Sequence, residues 1–219
     1  MGAVATVKQG GSGILLAAFD MDGTLLEEDS SWAALHRHFG TVDRSRLSLD
    51  LYTRGRIDYR EFMKRDIASW PRGTTKSEIE RVLFKYRLRR EARTVVKGLR
   101  ERGIDVAVVT SGIDILAERV AESLGIGHWL ANGLRFDGNG VLLERGIGRV
   151  DPRRKDVAYR RMLGRLGIDV KRTIAVGDTI YDLEFLKAAG KGFMLAHSTR
   201  VDNPEIIHIE KLTEIFAHI

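Results

Sequence analysis

Two aspartates one residue apart, Asp20 and Asp22, stand directly after a short apolar run in this chain. The run, residues 14–19, has the length and composition of a buried parallel strand. Because ligands bind beyond the carboxyl ends of such strands in open α/β sheets, both carboxylates are expected at a ligand site. Paired carboxylates there suit a metal-assisted reaction in which one is the nucleophile and the other the general acid.

The same stretch has two simpler interpretations, a calcium loop and a solvated turn. An EF-hand loop beginning at Asp20 requires glycine at its sixth position and glutamate at its twelfth. The chain has Leu25 and Ser31 there, which excludes the calcium loop. This stretch alone does not exclude an ordinary turn. Residues later in the chain therefore decide between a turn and a ligand site.

Polar residues also follow two later apolar runs. Thr110 and Ser111 follow the second run and Asp178 follows the third, while Lys155 opens the helical segment before that third run. Each has an ordinary explanation as a helix cap or a solvated lysine. Helix capping does not explain why all of them fall, in this order, at one expected edge of one sheet.

The elements that must position these residues alternate between strand and helix. Repeated strand–helix units predict an α/β fold with a doubly wound parallel sheet of about five strands. Besides residues 14–19, the predicted strands are 104–109, 173–176, 192–196 and 206–209. Residues 128–148 alternate and are rich in glycine, which predicts a hairpin that turns at residues 137–140.

Residues 29–90 show helical periodicity without a strand signal, which predicts a small all-helical insertion of about four helices after the first strand. Helices are also predicted for residues 77–90, 91–102, 151–167 and 183–189, with a short helix at the end of the chain. The expected division is a flexible lead (1–13), an α/β core (14–28 and 91–219) and a helical cap (29–90).

Composition excludes or disfavours several classes of function. The 219 residues include no cysteine, which excludes disulfides and thiolate chemistry. The formal net charge of +6 comes from cations scattered among acids, which favours an ion-paired surface that attracts anionic substrates over nucleic-acid binding. No apolar run approaches bilayer length, so a cytoplasmic protein without membrane contact is expected.

Four short motifs occur in a fixed order along the chain. They are D-x-D-G-T-L from Asp20, a Ser/Thr-ended apolar strand at Thr110, a helical lysine at Lys155, and G-D-x-x-x-D from Gly177 to Asp182. Together they resemble the signature of the haloacid dehalogenase superfamily. The helical insertion is similar to the cap of the phosphoserine phosphatase-like branch, which implies a Rossmannoid core with that cap.

The resemblance implies a Mg²⁺-dependent phosphomonoesterase that works through an aspartyl-phosphate. It makes Asp20 the nucleophile and Asp22 the acid that protonates the leaving alcohol and then activates water. The Mg²⁺ would be held by the side chains of Asp20 and Asp178 and by the backbone carbonyl of Asp22.

Phosphate recognition is implied for three further residues. Lys155 would place a positive charge against the phosphate and the nucleophile, while the Thr110 hydroxyl and the Ser111 backbone N–H would donate to its oxygens. Asp182 is implied to orient Lys155 or a metal-bound water.

The resemblance also points to specificity residues in the cap. Asp29 stands where the branch has a glutamate that meets the substrate amine. Where the branch has an arginine for the substrate carboxylate, this chain has Asp66, with Arg65 one residue away and about 100° around the helix. Tyr181 replaces a usual asparagine. The expected partner is a small phosphorylated metabolite of phosphoserine type, with Arg65 as the candidate ligand of its carboxylate.

Several alternatives remain open at this point. A phosphotransferase would pass the phosphoryl group to an alcohol, and a non-catalytic or nucleic-acid-binding protein could share the fold. A dehalogenase needs neither Asp22 nor an acidic fourth motif. The chain is expected to be a monomer or a homodimer.

Overall fold

The computed structural model describes residues 13–195 and 202–219, and six strands of these residues form one sheet. The strands are β1 (Leu16–Phe19), β2 (Asp105–Ile113), β3 (His128–Asn132), β4 (Thr173–Gly177), β5 (Lys191–Leu195) and β6 (Ile206–Ile209). Their order is β3-β2-β1-β4-β5-β6, and all neighbours pair in parallel. The predicted α/β fold with a parallel sheet is therefore confirmed.

Eight α-helices accompany the sheet within the described residues. They are α1 (Ser31–His38), α2 (Val42–Thr53), α3 (Tyr59–Ser69), α4 (Lys76–Leu83), α5 (Ala92–Glu101), α6 (Asp114–Leu124), α7 (Lys155–Leu166) and α8 (Leu183–Ala188). Four of them, α1 to α4, lie in residues 29–90, where an all-helical segment is predicted. The division of the chain into core and cap stays a prediction.

Both faces of the sheet are covered, as the alternation along β1 shows. Ala17 and Phe19 belong to the apolar cluster that includes α5 and α6, whereas Leu16 and Ala18 belong to the cluster with α7 and α8. Successive side chains of a strand point to opposite faces. Because both faces are covered, all four residues are fully buried. A strand buried on both sides reads as an unbroken apolar run.

The structure differs from the sequence prediction at several element ends. Residues 128–132 form a sixth strand parallel to β2, and the hairpin follows it, with antiparallel bridges Gly133–Ile147 and Phe136–Leu142. The helix predicted for 77–90 ends at Leu83, and the last helix is a 3₁₀ segment, Leu212–His218. Position 196 and all of the predicted lead except Gly13 lie outside the described residues.

Helices α1 and α3 meet through aromatic residues. The ring of Trp70, at the end of α3, lies 5.7 Å from the rings of both Trp32 and Phe39. On its other side α3 packs on the hairpin, where a Cβ at Gly146 would lie 3.0 Å from Ile67 and 3.2 Å from Met63. These contacts fix which face of α3 turns toward the sheet edge. Among the described residues, no helix has the length and apolarity needed to cross a membrane.

Candidate active site

The strand register brings the first, second and fourth motifs to one edge of the sheet. Phe19 pairs with Val108 on β2 and with Val176 on β4. Asp20 follows Phe19, and its backbone N–H donates to the Val176 carbonyl at 2.8 Å. Thr110 and Asp178 each stand two residues beyond the paired positions. The residues therefore meet because the three central strands are parallel and nearly in register.

Asp20 and Lys155 form a buried ion pair. The Lys155 Nζ lies 3.0 Å from Asp20 Oδ1, and it also contacts Asp182 Oδ1. Burial opposes the charged form of Lys155, but the carboxylates of Asp182 and Asp20 outweigh it and raise its pKa. Lys155 therefore stays protonated and supplies positive charge beside Asp20.

The Asp20 carboxyl lies in a cluster rich in negative charge. Burial raises its pKa to about 8, with Asp182 and Asp178 adding to the shift and Lys155 opposing it. Burial and the Asp182 carboxylate likewise raise the pKa of Asp178 to about 7. An ionised Asp20 needs more positive charge than Lys155 alone provides.

Asp22 is held by the beginning of α1. Its Oδ2 accepts hydrogen bonds from the Ser31 backbone N–H at 3.0 Å and from Ser31 Oγ at 2.7 Å. Its Oδ1 is buried and has no hydrogen-bond partner among the described residues. Burial raises the pKa of Asp22 to about 6 in spite of the Ser31 bonds, as suits a carboxyl that gives and takes a proton near neutral pH. A Cβ at Gly112 would lie 2.7 Å from Asp22 Oδ2, so this position needs glycine.

Gly23 and Thr24 position Asp178. The Thr24 hydroxyl donates to Asp178 Oδ1 at 2.8 Å. Gly23 has φ of +73°, and a Cβ there would overlap the Asp178 carboxylate. Arg89 donates to the carbonyls of Gly23 at 2.6 Å and Thr24 at 3.0 Å, which ties this loop to the chain before α5.

Asp182 supports both Lys155 and the fourth-motif loop. Its Oδ2 accepts from the backbone N–H groups of Asp178 at 3.1 Å and Thr179 at 3.0 Å, while its Oδ1 contacts Lys155. A Cβ at Gly177 would lie 2.5 Å from Asp182 Cγ, so glycine makes room for this carboxylate. The orienting role implied for Asp182 stays a prediction.

Carboxylate oxygens of Asp20, Asp178 and Asp182 lie within 4.8 Å of one another. Buried oxygen donors with excess negative charge fit a hard divalent cation such as Mg²⁺. Because both oxygens of Asp182 already contact Lys155 and backbone N–H groups, Asp20 and Asp178 are the better ligands. The Asp22 side chain is not in this cluster, and its predicted ligand is the backbone carbonyl.

A cavity of about 320 Å³ reaches this acidic cluster at Asp20. Its floor includes Asp20, Asp22, Thr110 and Lys155. Thr110 Oγ1 accepts the Gly112 N–H at 3.0 Å, which leaves the hydroxyl hydrogen for a ligand oxygen. The floor can therefore bind a tetrahedral oxyanion between Lys155 and Thr110.

The roof of the cavity comes from the helical segment, and it separates Asp66 from Arg65. Asp66 borders the cavity with 2% of its side chain exposed, and His36 Nε2 lies 3.2 Å from its Oδ2. Arg65 is 46% exposed and its Nε donates to Glu61 Oε1 at 3.0 Å, outside the cavity lining. The structure thus brings Asp66 to the site and leaves Arg65 outside it. The other predicted cap residue, Asp29, borders the cavity.

Sequence reasoning gave no role to several residues of the site. Tyr52 borders the cavity, and Asn132 Nδ2 donates to the Tyr59 hydroxyl at 2.6 Å and to the Ser111 carbonyl at 2.8 Å. Nothing local marks Asn132, which lies in the strand that the sequence did not predict. Ser31 is the first residue of α1, and a serine at a predicted helix start is the sequence signal that could have identified it.

A second cavity of about 580 Å³ lies between α3 and the hairpin. Its lining is charged and includes Arg60, Lys64 and Arg135. Its lining contains none of the predicted catalytic or metal residues, so the smaller cavity is the candidate active site.

A family model of haloacid dehalogenase-like hydrolases matches residues 17–187, which contain all four motifs. The chain belongs to this family. The family resemblance drawn from the motifs is thereby confirmed. Among curated relatives of this hydrolase, a phosphoserine phosphatase of Archaeoglobus fulgidus is 30% identical over 178 residues, and one of Streptomyces coelicolor is 31% identical over 180 residues.

The alignments cover 81% of this hydrolase but only 51% and 43% of those two relatives, so the chain spans about half of their length. A solved structure described as a phospho-aspartyl intermediate analogue of phosphoserine phosphatase is also similar. Its TM-score is 0.76 at 25% identity, and the match covers 94% of this chain and 99% of the other.

Proposed function

We propose that this hydrolase is a Mg²⁺-dependent phosphomonoesterase that cleaves a small phosphorylated metabolite through an aspartyl-phosphate on Asp20. The observation that carries the proposal is the buried Asp20–Lys155 pair at the floor of one cavity, with Asp22 beside it and with Asp178 close to Asp20 in the acidic cluster. The similarity to phosphoserine phosphatases supports it, and so does the solved phospho-aspartyl analogue of such an enzyme.

In the first step, an Asp20 oxygen attacks phosphorus and the bond from phosphorus to the ester oxygen breaks. Asp22 gives its proton to the departing alkoxide, which leaves as an alcohol. In the second step, Asp22 takes a proton from water, which attacks the phosphorus of the aspartyl-phosphate. Inorganic phosphate leaves, and Asp20 is again a carboxylate.

The other residues hold charge in place during both steps. Lys155, oriented by Asp182, lies against the phosphoryl oxygens and Asp20. Thr110 Oγ and the Ser111 N–H donate to the remaining oxygens. A Mg²⁺ held by Asp20, Asp178 and the Asp22 carbonyl would supply the charge that neutralises the carboxylates and the phosphate dianion.

The test is phosphate release from a panel of small phosphomonoesters, with Mg²⁺ and with EDTA, by the wild type and by Asp20→Asn. We expect metal-dependent release by the wild type and none by Asp20→Asn, because an amide cannot form the aspartyl-phosphate. Exposed Asp43→Asn is the matched control and should retain the wild-type rate.

Normal turnover by folded Asp20→Asn would exclude the covalent mechanism. Phosphoryl transfer to an added alcohol in preference to water would instead indicate a phosphotransferase.

A further inference from the structure

The roof of the 320 Å³ cavity differs from its floor in chemistry. Four aromatic side chains line it, from Trp32, Tyr52, Tyr59 and Phe62, and two carboxylates accompany them, Asp29 and Asp66. Among the described residues that line the cavity, Lys155 is the only lysine or arginine. Lys155 lies on the floor, bound to two carboxylates.

Asp66 is buried with one oxygen unsatisfied. Its Oδ2 faces His36 Nε2 at 3.2 Å, but its Oδ1 has no hydrogen-bond partner among the described residues. His36 Nδ1 accepts the indole N–H of Trp70 at 3.3 Å and also contacts Thr41 Oγ1 at 2.8 Å. Among the described residues, no lysine or arginine pairs with Asp66.

A buried carboxylate oxygen without a partner is costly unless a cation or a hydrogen-bond donor meets it. The guanidinium of Arg153 lies 4.9 Å over the Tyr52 ring and donates to the carbonyls of Tyr52 and Thr53. Arg153 does not line the cavity. The partner that Asp66 lacks is therefore expected from the ligand.

We propose that the substrate is the phosphate ester of an amino alcohol, with a cationic amine and no carboxylate. This inference rests on the proposed phosphomonoesterase function and names its substrate class. The phosphate would occupy the floor, and the ammonium would meet Asp66 and Asp29 beside aromatic rings, which also attract cations. A substrate carboxylate would face two carboxylates and no roof cation.

Phosphoserine fits this roof less well than its decarboxylated analogue. Both carry the amine, but only phosphoserine would place a carboxylate near Asp66 and Asp29. The expected order of kcat/KM is O-phosphoethanolamine first, then O-phosphoserine and ethyl phosphate, with 3-phosphoglycerate last.

The experiment compares kcat/KM for these four esters and for p-nitrophenyl phosphate, in Mg²⁺. We expect O-phosphoethanolamine to exceed ethyl phosphate and O-phosphoserine by about tenfold or more, equivalent to about 1.4 kcal/mol of transition-state binding. In Asp66→Asn the ratio of phosphoethanolamine to ethyl phosphate should fall by about tenfold. In Asp43→Asn, an exposed matched control, the ratio should not change.

The outcomes separate the two proposals. Hydrolysis led by phosphoserine or phosphoglycerate, or a ratio unchanged in folded Asp66→Asn, overturns the amine assignment while the phosphatase stands. Hydrolysis of none of the five esters overturns both. If Asp66→Asn does not fold, Asp29→Asn and the wild-type order of substrates still decide the assignment.

Discussion

The hydroxyl of Thr110 is oriented by the fold itself. Thr110 lies in β2, and its Oγ1 accepts a hydrogen bond from the Gly112 N–H. The backbone therefore orients the hydroxyl hydrogen before any ligand binds. Lys155 is likewise fixed in advance, because Asp20 and Asp182 hold its ammonium. Such groups need little reorganisation when charge develops on a phosphoryl oxygen.

Thr110→Val is therefore expected to raise the activation free energy for phosphomonoesters by about 3 kcal/mol, which lowers kcat/KM roughly a hundredfold. Valine keeps the shape and removes the donor, although Gly112 N–H also loses its acceptor. Steady-state phosphate release measures the effect, and exposed Thr53→Val is the control. A loss of less than twofold would show that Thr110 does not bind the phosphoryl group.

At the scale of the element, the loop between β1 and α1 depends on the space that glycine leaves. Gly23 combines a left-handed φ of +73° with close approach to the Asp178 carboxylate. Gly40, after α1, has a similar φ of +67° but open space around it. The two glycines therefore separate the cost of backbone strain from the cost of displacing a carboxylate.

Gly40→Ala should lower the free energy of unfolding by about 1 kcal/mol, the cost of a left-handed alanine. Gly23→Ala should pay this cost and also displace Asp178, which weakens Mg²⁺ binding and lowers phosphate release by at least about tenfold. Chemical denaturation and Mg²⁺ titration of both variants make the comparison. Equal Mg²⁺ affinity in the two variants would contradict the positioning of Asp178 by this loop.

At the scale of the whole molecule, the acidic cluster links stability to pH and metal. The pKa values of Asp22, Asp178 and Asp20 are raised by burial from 3.8 to about 6, 7 and 8. Above pH 4 the folded protein therefore binds more protons than the unfolded chain. These groups stabilise the metal-free fold at low pH, and their contribution falls as the pH rises from about 4 and is lost by about pH 8.

Without metal, the free energy of unfolding relative to Asp20→Asn should fall by on the order of 1 kcal/mol between pH 5 and 8. Mg²⁺ should restore more stability at pH 8 than at pH 5, because it binds the ionised carboxylates. Denaturant unfolding in EDTA and in Mg²⁺ tests both points. A difference in the free energy of unfolding between the wild type and Asp20→Asn that does not vary with pH would contradict the raised pKa of Asp20.

The sequence by itself determined which residues could do chemistry and their order along the chain. The apolar run before Asp20 is continuous because β1 is buried on both faces, and this local pattern predicts a parallel strand. Parallel strands carry their following residues to one edge, so Thr110 and Asp178 could be assigned to the site of Asp20. Short motifs with strict spacing needed no tertiary information.

Only the tertiary structure decided what lies above that floor. Adjacent residues Asp66 and Arg65 differ in fate because the aromatic and hairpin contacts of α3 set its rotation, which no local pattern encodes. The pairing of residues 128–132 with β2 also depends on two segments that meet only in the folded sheet. The contact of Ser31 with Asp22 depends on the geometry of the loop between β1 and α1. Local patterns specify periodicity and residue type, whereas side-chain direction and register depend on packing between segments that the chain brings together only on folding.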